Sequence, residues 1–174
     1  MLAEPEVRDR ATYADTARAF APAIARVARA YEADSERARD LEQDIHLALW
    51  RGLATFRGEC ALSTWVFRVA HNVAASHVRR ARADHPLVPI ERAEQVASGD
   101  DPERAADHGR VLARLHDLLH RLAAADRQLI LLYLEGLDAA SMAEVSGLSP
   151  GHVAVKVHRI KALLARRFAA GRPL

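Results

Sequence analysis

His152, Lys156 and Arg159 stand four and three residues apart in a run, Val145 to Leu174, that contains no acid. On a helix this spacing puts three hydrogen-bond donors on one side, suited to phosphates and base edges in a major groove. A second acid-free run, Cys60 to Ala83, holds Arg68, Arg79, Arg80 and Arg82 with His71 and His77. The second run carries a formal charge of +4 and the first +6, while the whole chain is only +2, leaving −8 for the remainder. Charge is therefore sorted along the chain rather than merely abundant. A solvated helix face explains either run alone, but two runs flanking an acidic stretch point to a polyanion, with nucleic acid as the leading partner.

Other chemistry is weaker. Trp65 and Phe67 are able to stack on unpaired bases, yet two positions on a helix point about 200° apart, so at least one of them belongs to a core. His116 and His120 have the spacing of two metal ligands, but no carboxylate or cysteine is placed beside them, and ordinary histidines account for the pair. No phosphate-cradling glycine loop, paired-histidine protease helix or nucleophile elbow occurs. These features lead us to expect no enzyme, no cofactor, no metal and no small-molecule substrate. Cys60 is the only cysteine, which leaves no intramolecular disulfide and fits a reducing compartment. The acidic start, Met1 to Arg10, is unlike a secretory signal and no apolar run reaches the ~20 residues of a membrane span, so a cytoplasmic location is expected.

The elements that must position these residues read as helices. The chain is 174 residues long, 50% hydrophobic but only 5% aromatic, and rich in Ala, Leu and Arg. The expectation is an all-α protein of two small domains, a helical bundle and a four-helix unit with a helix-turn-helix, joined by an acidic flexible linker. Tyr13, Ala17, Phe20, Ile24, Val27 and Tyr31 form one apolar stripe, which Pro22 should kink or divide. After a charged turn from Asp34 to Arg39, Leu41, Ile45, Leu49 and Leu53 mark a second helix. Phe56 to Glu59 reads as a loop, and Ser63 as the N-cap of a third helix to about Arg82, with Trp65 or Val66, Val69, Ala70 and Val73 buried. Asp84 to Gly109, with three prolines and a net charge of −5, reads as the linker.

Helical order resumes from Val111 to Leu122 and again from about Asp126 to Glu135, stopped by Gly136. Asp138 is placed to cap a short helix, Gly147 to make a left-handed turn, and Ser149 with Pro150 to start a last helix carrying Val153, Val157, Ile160, Leu164 and Phe168. That order is a helix-turn-helix.

The run from Asp40 to Asp44 with Leu47 and Trp50, the run from Phe56 to Asn72 reading FRGECALSTWVFRVAHN, and the terminal helix-turn-helix together resemble bacterial RNA polymerase sigma factors. The nearest likeness is to the extracytoplasmic-function group of the sigma-70 family, from about Thr12 to Phe168. The resemblance implies a factor that binds core RNA polymerase, recognises promoter DNA and helps open it, and is not itself an enzyme. It divides the chain into 1–83, a region 2 domain, 84–109, a linker, and 110–174, a region 4 domain. Core polymerase would be met by Asp40, Leu41, Gln43, Asp44, Leu47 and Trp50. The minus-ten element would be met by Phe56, Arg57, Ser63, Trp65, Arg68, His71, Asn72, Arg79 and Arg80. The minus-thirty-five element would be met by Ser149, His152, Lys156, Arg159 and Lys161. The linker would run toward the RNA exit path, and a separate anti-sigma factor would control the whole.

Four positions depart from the family pattern: Asp44 where Glu is common, His71 where Arg is frequent, and Ala154 with Val155 where a basic or small polar residue is usual. Two other classes stay in view. A helix-turn-helix regulator acting on duplex DNA without polymerase shares the C-terminal motif but leaves Asp40 to Asn72 unexplained; a histidine-dependent metalloenzyme leaves both basic runs unexplained.

Overall fold

The structure, a computed structural model, describes residues 4–84 and 104–170, with side chains from 13 to 81 and from 109 to 169. The elements of the described residues are seven helices, with no strand among them. This is the expected all-α class. Most of the expected acidic linker, residues 85–103, lies outside the described residues.

Helices α1 (Glu4–Tyr31), α2 (Ser35–Leu53) and α3 (Leu62–Asp84) pack into a bundle. The α1 stripe buries Ile24, Val27 and Tyr31 as its period requires, with Phe20 partly buried. Pro22 does not divide α1, which runs through it. The ring is exposed while Ala23 and Ile24 just after it are buried, so packing beside the proline outweighs the ~3 kcal/mol that its missing donor and ring clash cost a helix.

The stretch from Asp34 to Arg39 is also not a turn. The Asp34 carboxylate accepts from the amides of Glu36 at 3.0 Å and Arg37 at 2.9 Å, so it caps α2 and the charged residues fill its first turn. The face of α2 that meets the bundle holds Ala38, Leu41, Ile45 and Leu49. Close approach of α3 depends on Gly52, where a Cβ would stand 3.0 Å from Cζ2 of the Trp65 indole. α3 begins at Leu62, one residue before the expected cap Ser63, and buries Val66, Phe67, Ala70, His71 and Ala74, while Val69 and Val73 are only partly covered. Phe67 meets Phe20 edge-on at 6.1 Å between ring centroids, so it is the aromatic claimed by the core.

The second half is α4 (Arg104–His120), α5 (Ala124–Leu134), α6 (Ala139–Ser146) and α7 (Pro150–Ala170). α4 starts inside the stretch read as linker, because Arg104, Ala105 and Ala106 favour a helix whatever the charge around them. The helix-turn-helix forms as its turn chemistry dictates. Asp138 accepts from the Ser141 amide at 2.7 Å, Gly147 closes α6 at φ 74°, and Ser149 Oγ accepts from the His152 amide at 3.4 Å ahead of Pro150. Met142, Val153, Val157 and Ile160 fill the space between α6 and α7 and the apolar α5.

Leu41 is fully buried in this arrangement, which corrects its expected place on the polymerase-facing surface. The four-residue step to Ile45 puts it on the inward face of α2. Leu41→Ala should therefore lower unfolding stability by about 2–5 kcal/mol in denaturant titration. It should not weaken polymerase affinity in the fraction that remains folded.

Candidate nucleic-acid and protein interfaces

Burying Leu41, Ile45 and Leu49 turns the opposite side of α2 outward, and Asp40, Gln43, Asp44, Leu47 and Trp50 line up there at steps of three and one. Leu47 is 42% exposed and Trp50 48%, so two large apolar side chains stand in water beside two carboxylates. An indole exposed at the edge of a polar stripe is the anchor type that protein interfaces use.

The expected minus-ten residues divide into four groups. Arg57, Asn72, Arg79 and Arg80 are exposed, with Arg79 Nη2 donating to Ser76 Oγ at 2.8 Å and Arg80 Nε to the Ser76 carbonyl at 3.4 Å. Phe56 and Trp65 are partly buried against one another, with ring centroids 5.1 Å apart. Ser63 and Arg68 are partly exposed and stand beside the end of α5 and α6. Ser63 lines a cleft with Glu135, Asp138 and Ser141, and Arg68 Nη2 lies 3.6 Å from Glu144 Oε2. The Arg82 side chain and Arg172 lie outside the described residues.

His71 is the fourth group and a correction, because it is 1% exposed and turned inward. Its Nδ1 lies 3.0 Å from the Tyr31 hydroxyl. Burial pushes the Tyr31 pKa up to about 12, so the hydroxyl stays protonated and donates, Nδ1 accepts, and the ring proton rests on Nε2. Nε2 is buried with no partner among the described residues. Burial also drives the His71 pKa down to about 3, which keeps the ring neutral. A neutral imidazole suits a position that faces the core.

On α7 the core stripe of Val153, Val157 and Ile160 again decides what faces out. At 100° per residue the opposite side holds Val155, His158, Arg159, Ala162 and Arg166, all exposed. Arg159 sits on this face as expected, with exposed His152 at its edge. His158 and Arg166 were not singled out from the sequence. Projecting the sequence at 100° per residue places both opposite the valine stripe, His158 about 140° from Val153 and Arg166 about 180° from Val157. Lys156 and Lys161 flank the face and are engaged: Lys156 Nζ pairs with Asp126 at 2.5 Å, and Lys161 Nζ donates to the Tyr133 hydroxyl at 2.7 Å over its ring. Ser149 serves as the cap already described.

His116 and His120 on α4 are both held below the usual histidine range, by burial first and then by Arg29 and Arg127 respectively. The described residues contain no group of three metal-capable side chains. No described helix is long and apolar enough to cross a membrane.

The model of Sigma-70 region 2 matches residues 16–83, and that of Sigma-70, region 4 matches residues 112–164. The ECF RNA polymerase sigma factor SigM of Mycobacterium tuberculosis is 30% identical over 166 residues, covering 95% of this chain and 82% of that protein. The RNA polymerase sigma-H factor of Pseudomonas aeruginosa is 30% identical over 137 residues, 74% of this chain and 71% of the relative. Among solved structures, RpoE of Bartonella quintana in complex with the anti-sigma factor NepR has a TM-score of 0.69 at 21% identity, covering 92% of this chain and 99% of that one. CnrH in complex with the cytosolic domain of CnrY has a TM-score of 0.67 at 21% identity, covering 94% and 91%.

The neutral His71 has a consequence for stability. The unfolded chain takes up a proton near the ordinary histidine pKa of about 6.5, whereas the fold resists it down to about 3. Stability is thus complete above about pH 6.5 and falls as pH drops, by up to about 1.4 kcal/mol per unit from this group. His116 and His120 act in the same direction. Urea unfolding between pH 7.5 and 4.5 should show this slope, and His71→Gln should flatten it by about one proton's worth while lowering stability at pH 7.5.

Proposed function

The chain belongs to the extracytoplasmic-function sigma factors of the sigma-70 family, and we propose which of its surfaces carry the work of directing RNA polymerase to promoters. Its partners are core RNA polymerase and promoter DNA, and its family is one of initiation factors rather than enzymes. Residues 1–83 act as the region 2 domain and 110–174 as the region 4 domain, joined by 84–109. The protein works in the cytoplasm, beside the polymerase.

The outward face of α2, Asp40, Gln43, Asp44, Leu47 and Trp50, docks on core polymerase. The observation that carries this is the pair of exposed apolar side chains, Leu47 and Trp50, set among carboxylates on a face the bundle leaves free. Desolvating Trp50 supplies affinity, and the carboxylates fix orientation against a basic partner surface.

Promoter opening falls to Phe56, Arg57, Asn72, Arg79 and Arg80, with Trp65 supporting Phe56 from behind, and to the partly exposed Ser63 and Arg68. Unstacking a base costs a few kcal/mol, so a pocket with an aromatic wall has to capture it. The α7 helix enters the major groove of the minus-thirty-five element with Arg159, His152, His158 and Arg166 toward DNA. Lys156 and Lys161 grip phosphates from its flanks. A separate anti-sigma protein holds the factor inactive by covering polymerase-facing surfaces. The two solved relatives bound to CnrY and to NepR support that reading.

Added to sigma-free core polymerase and a promoter library, the protein should yield specific transcripts that core alone does not make; absence of both core binding and initiation would overturn the reading. Trp50→Ala should weaken core association by about 2 kcal/mol and Asp44→Arg should weaken it as well, with helical content unchanged by circular dichroism. Arg159→Ala should cost about 1–3 kcal/mol on the upstream element and less on unrelated duplex if it contacts a base. An equal loss on every sequence makes it a phosphate contact instead.

A further inference from the structure

The first three turns of α7 carry an apolar crest in the middle of a basic helix. With the buried stripe of Val153, Val157 and Ile160 as the underside, Gly151, Val155 and Ala162 fall within about 30° of the opposite side at 100° per residue. His158 stands on one shoulder of this crest and Arg159 with His152 on the other, about 50° to 70° away. The shoulders can hydrogen-bond through their side chains and the crest cannot. Val155 is 50% exposed. Apart from the adjoining residues and helix backbone, no described atom lies within 4 Å of where a Cβ on Gly151 would stand, so the start of the crest is open.

A valine at this place goes against local preference. An exposed position inside a helix is best filled by alanine or a straight-chain residue, because branching at Cβ costs rotamer freedom against the preceding turn. Val155 adds nothing to the core either, which Val153 and Val157 fill from the other side. Neither the helix nor the packing calls for it. Reach then limits what it can touch. Arginine meets base edges or phosphates from a shoulder, whereas a valine meets a base only from the crest, the part of the helix that goes deepest into a groove. On the floor of the major groove thymine is the base with an apolar group, its C5 methyl.

We propose that Val155 is a specificity-determining residue that reads a thymine in the minus-thirty-five element, packing its methyl groups on the C5 methyl while Gly151 and Ala162 let the crest sit close to the bases. The inference rests on the placement of α7 in the groove of that element given under the proposed function. It adds a position at which this chain tells thymine from cytosine. Cytosine presents a bare C5 and an amino donor there, and the crest has no side-chain acceptor to meet that donor once water is excluded.

Deoxyuridine differs from thymidine by that methyl alone, so it isolates the contact. The full chain is assembled with core polymerase, and binding is measured on a promoter duplex selected from the library, with each thymine of the upstream element replaced in turn by deoxyuridine. One replacement should weaken wild-type binding about fourfold, which is what one methyl group lost from an apolar contact is worth. Val155→Ala should bind the thymine duplex at least that much more weakly and lose nothing further on that uracil duplex, as two changes to one contact require. Alanine is the better helix former at this exposed site, so the variant keeps its fold and its circular dichroism. Absence of any sensitive thymine overturns the proposal. So does a Val155→Ala protein that still discriminates against uracil, because the methyl then acts through the shape of the duplex. Scrambling the whole upstream element separates the two claims. Where scrambling weakens wild-type binding, α7 keeps its place in the groove whatever the uracil series shows; where it costs nothing, that placement falls and the inference falls with it.

Discussion

Arg127 is a guanidinium almost without access to water, and the positions of four helices depend on how its charge is satisfied. It donates to the carbonyls of Leu119 at 2.8 Å, His120 at 2.5 Å and Leu122 at 3.2 Å, which stand at the end of α4 and just past it, where the helix leaves carbonyls short of partners. Its plane lies over the Tyr31 ring, and the Tyr31 hydroxyl donates to His71. A buried charge or a buried ring nitrogen is costly unless it is met, so α5, α4, α1 and α3 are held in one relation by a line of three side chains. Apolar burial alone would allow these helices to slide.

From that relation the exposed surfaces follow by subtraction. His71 pinned inward forces Asn72 outward and leaves Arg79 and Arg80 on the free end of α3. Leu41, Ile45 and Leu49 pinned inward force Asp40, Asp44, Leu47 and Trp50 into water. α7 shows the same rule, with Val153, Val157 and Ile160 below and Arg159 above. What the packed stripe excludes stands in solvent, and one helix therefore carries a buried and an exposed face without either constraining the other's residue types.

The second half was the more legible because its signals are local. An Asp that accepts an amide three residues on, a glycine at positive φ and a Ser-Pro helix start each act within one turn, so they look the same in the sequence as in the fold. The first half misled where a local rule met a distant contact. Pro22 reads as a break, yet α1 continues because its neighbours are buried against α2 and α3. Trp65 and Phe67 cannot share a face, and which of them is core is decided by Phe20, far away in sequence, which meets Phe67.

By itself the sequence determined the helices, their inward stripes, the caps of the turn motif and the family, since these depend on residue types a few positions apart. The tertiary structure decided the rest: that Leu41 and His71 are interior, and that Arg68 and Ser63 stand beside acids of the opposite half of the chain. The reason is that burial and ion pairing are properties of pairs. Arg26 has no legible purpose until Glu135, 109 residues away, is brought to 2.6 Å from it.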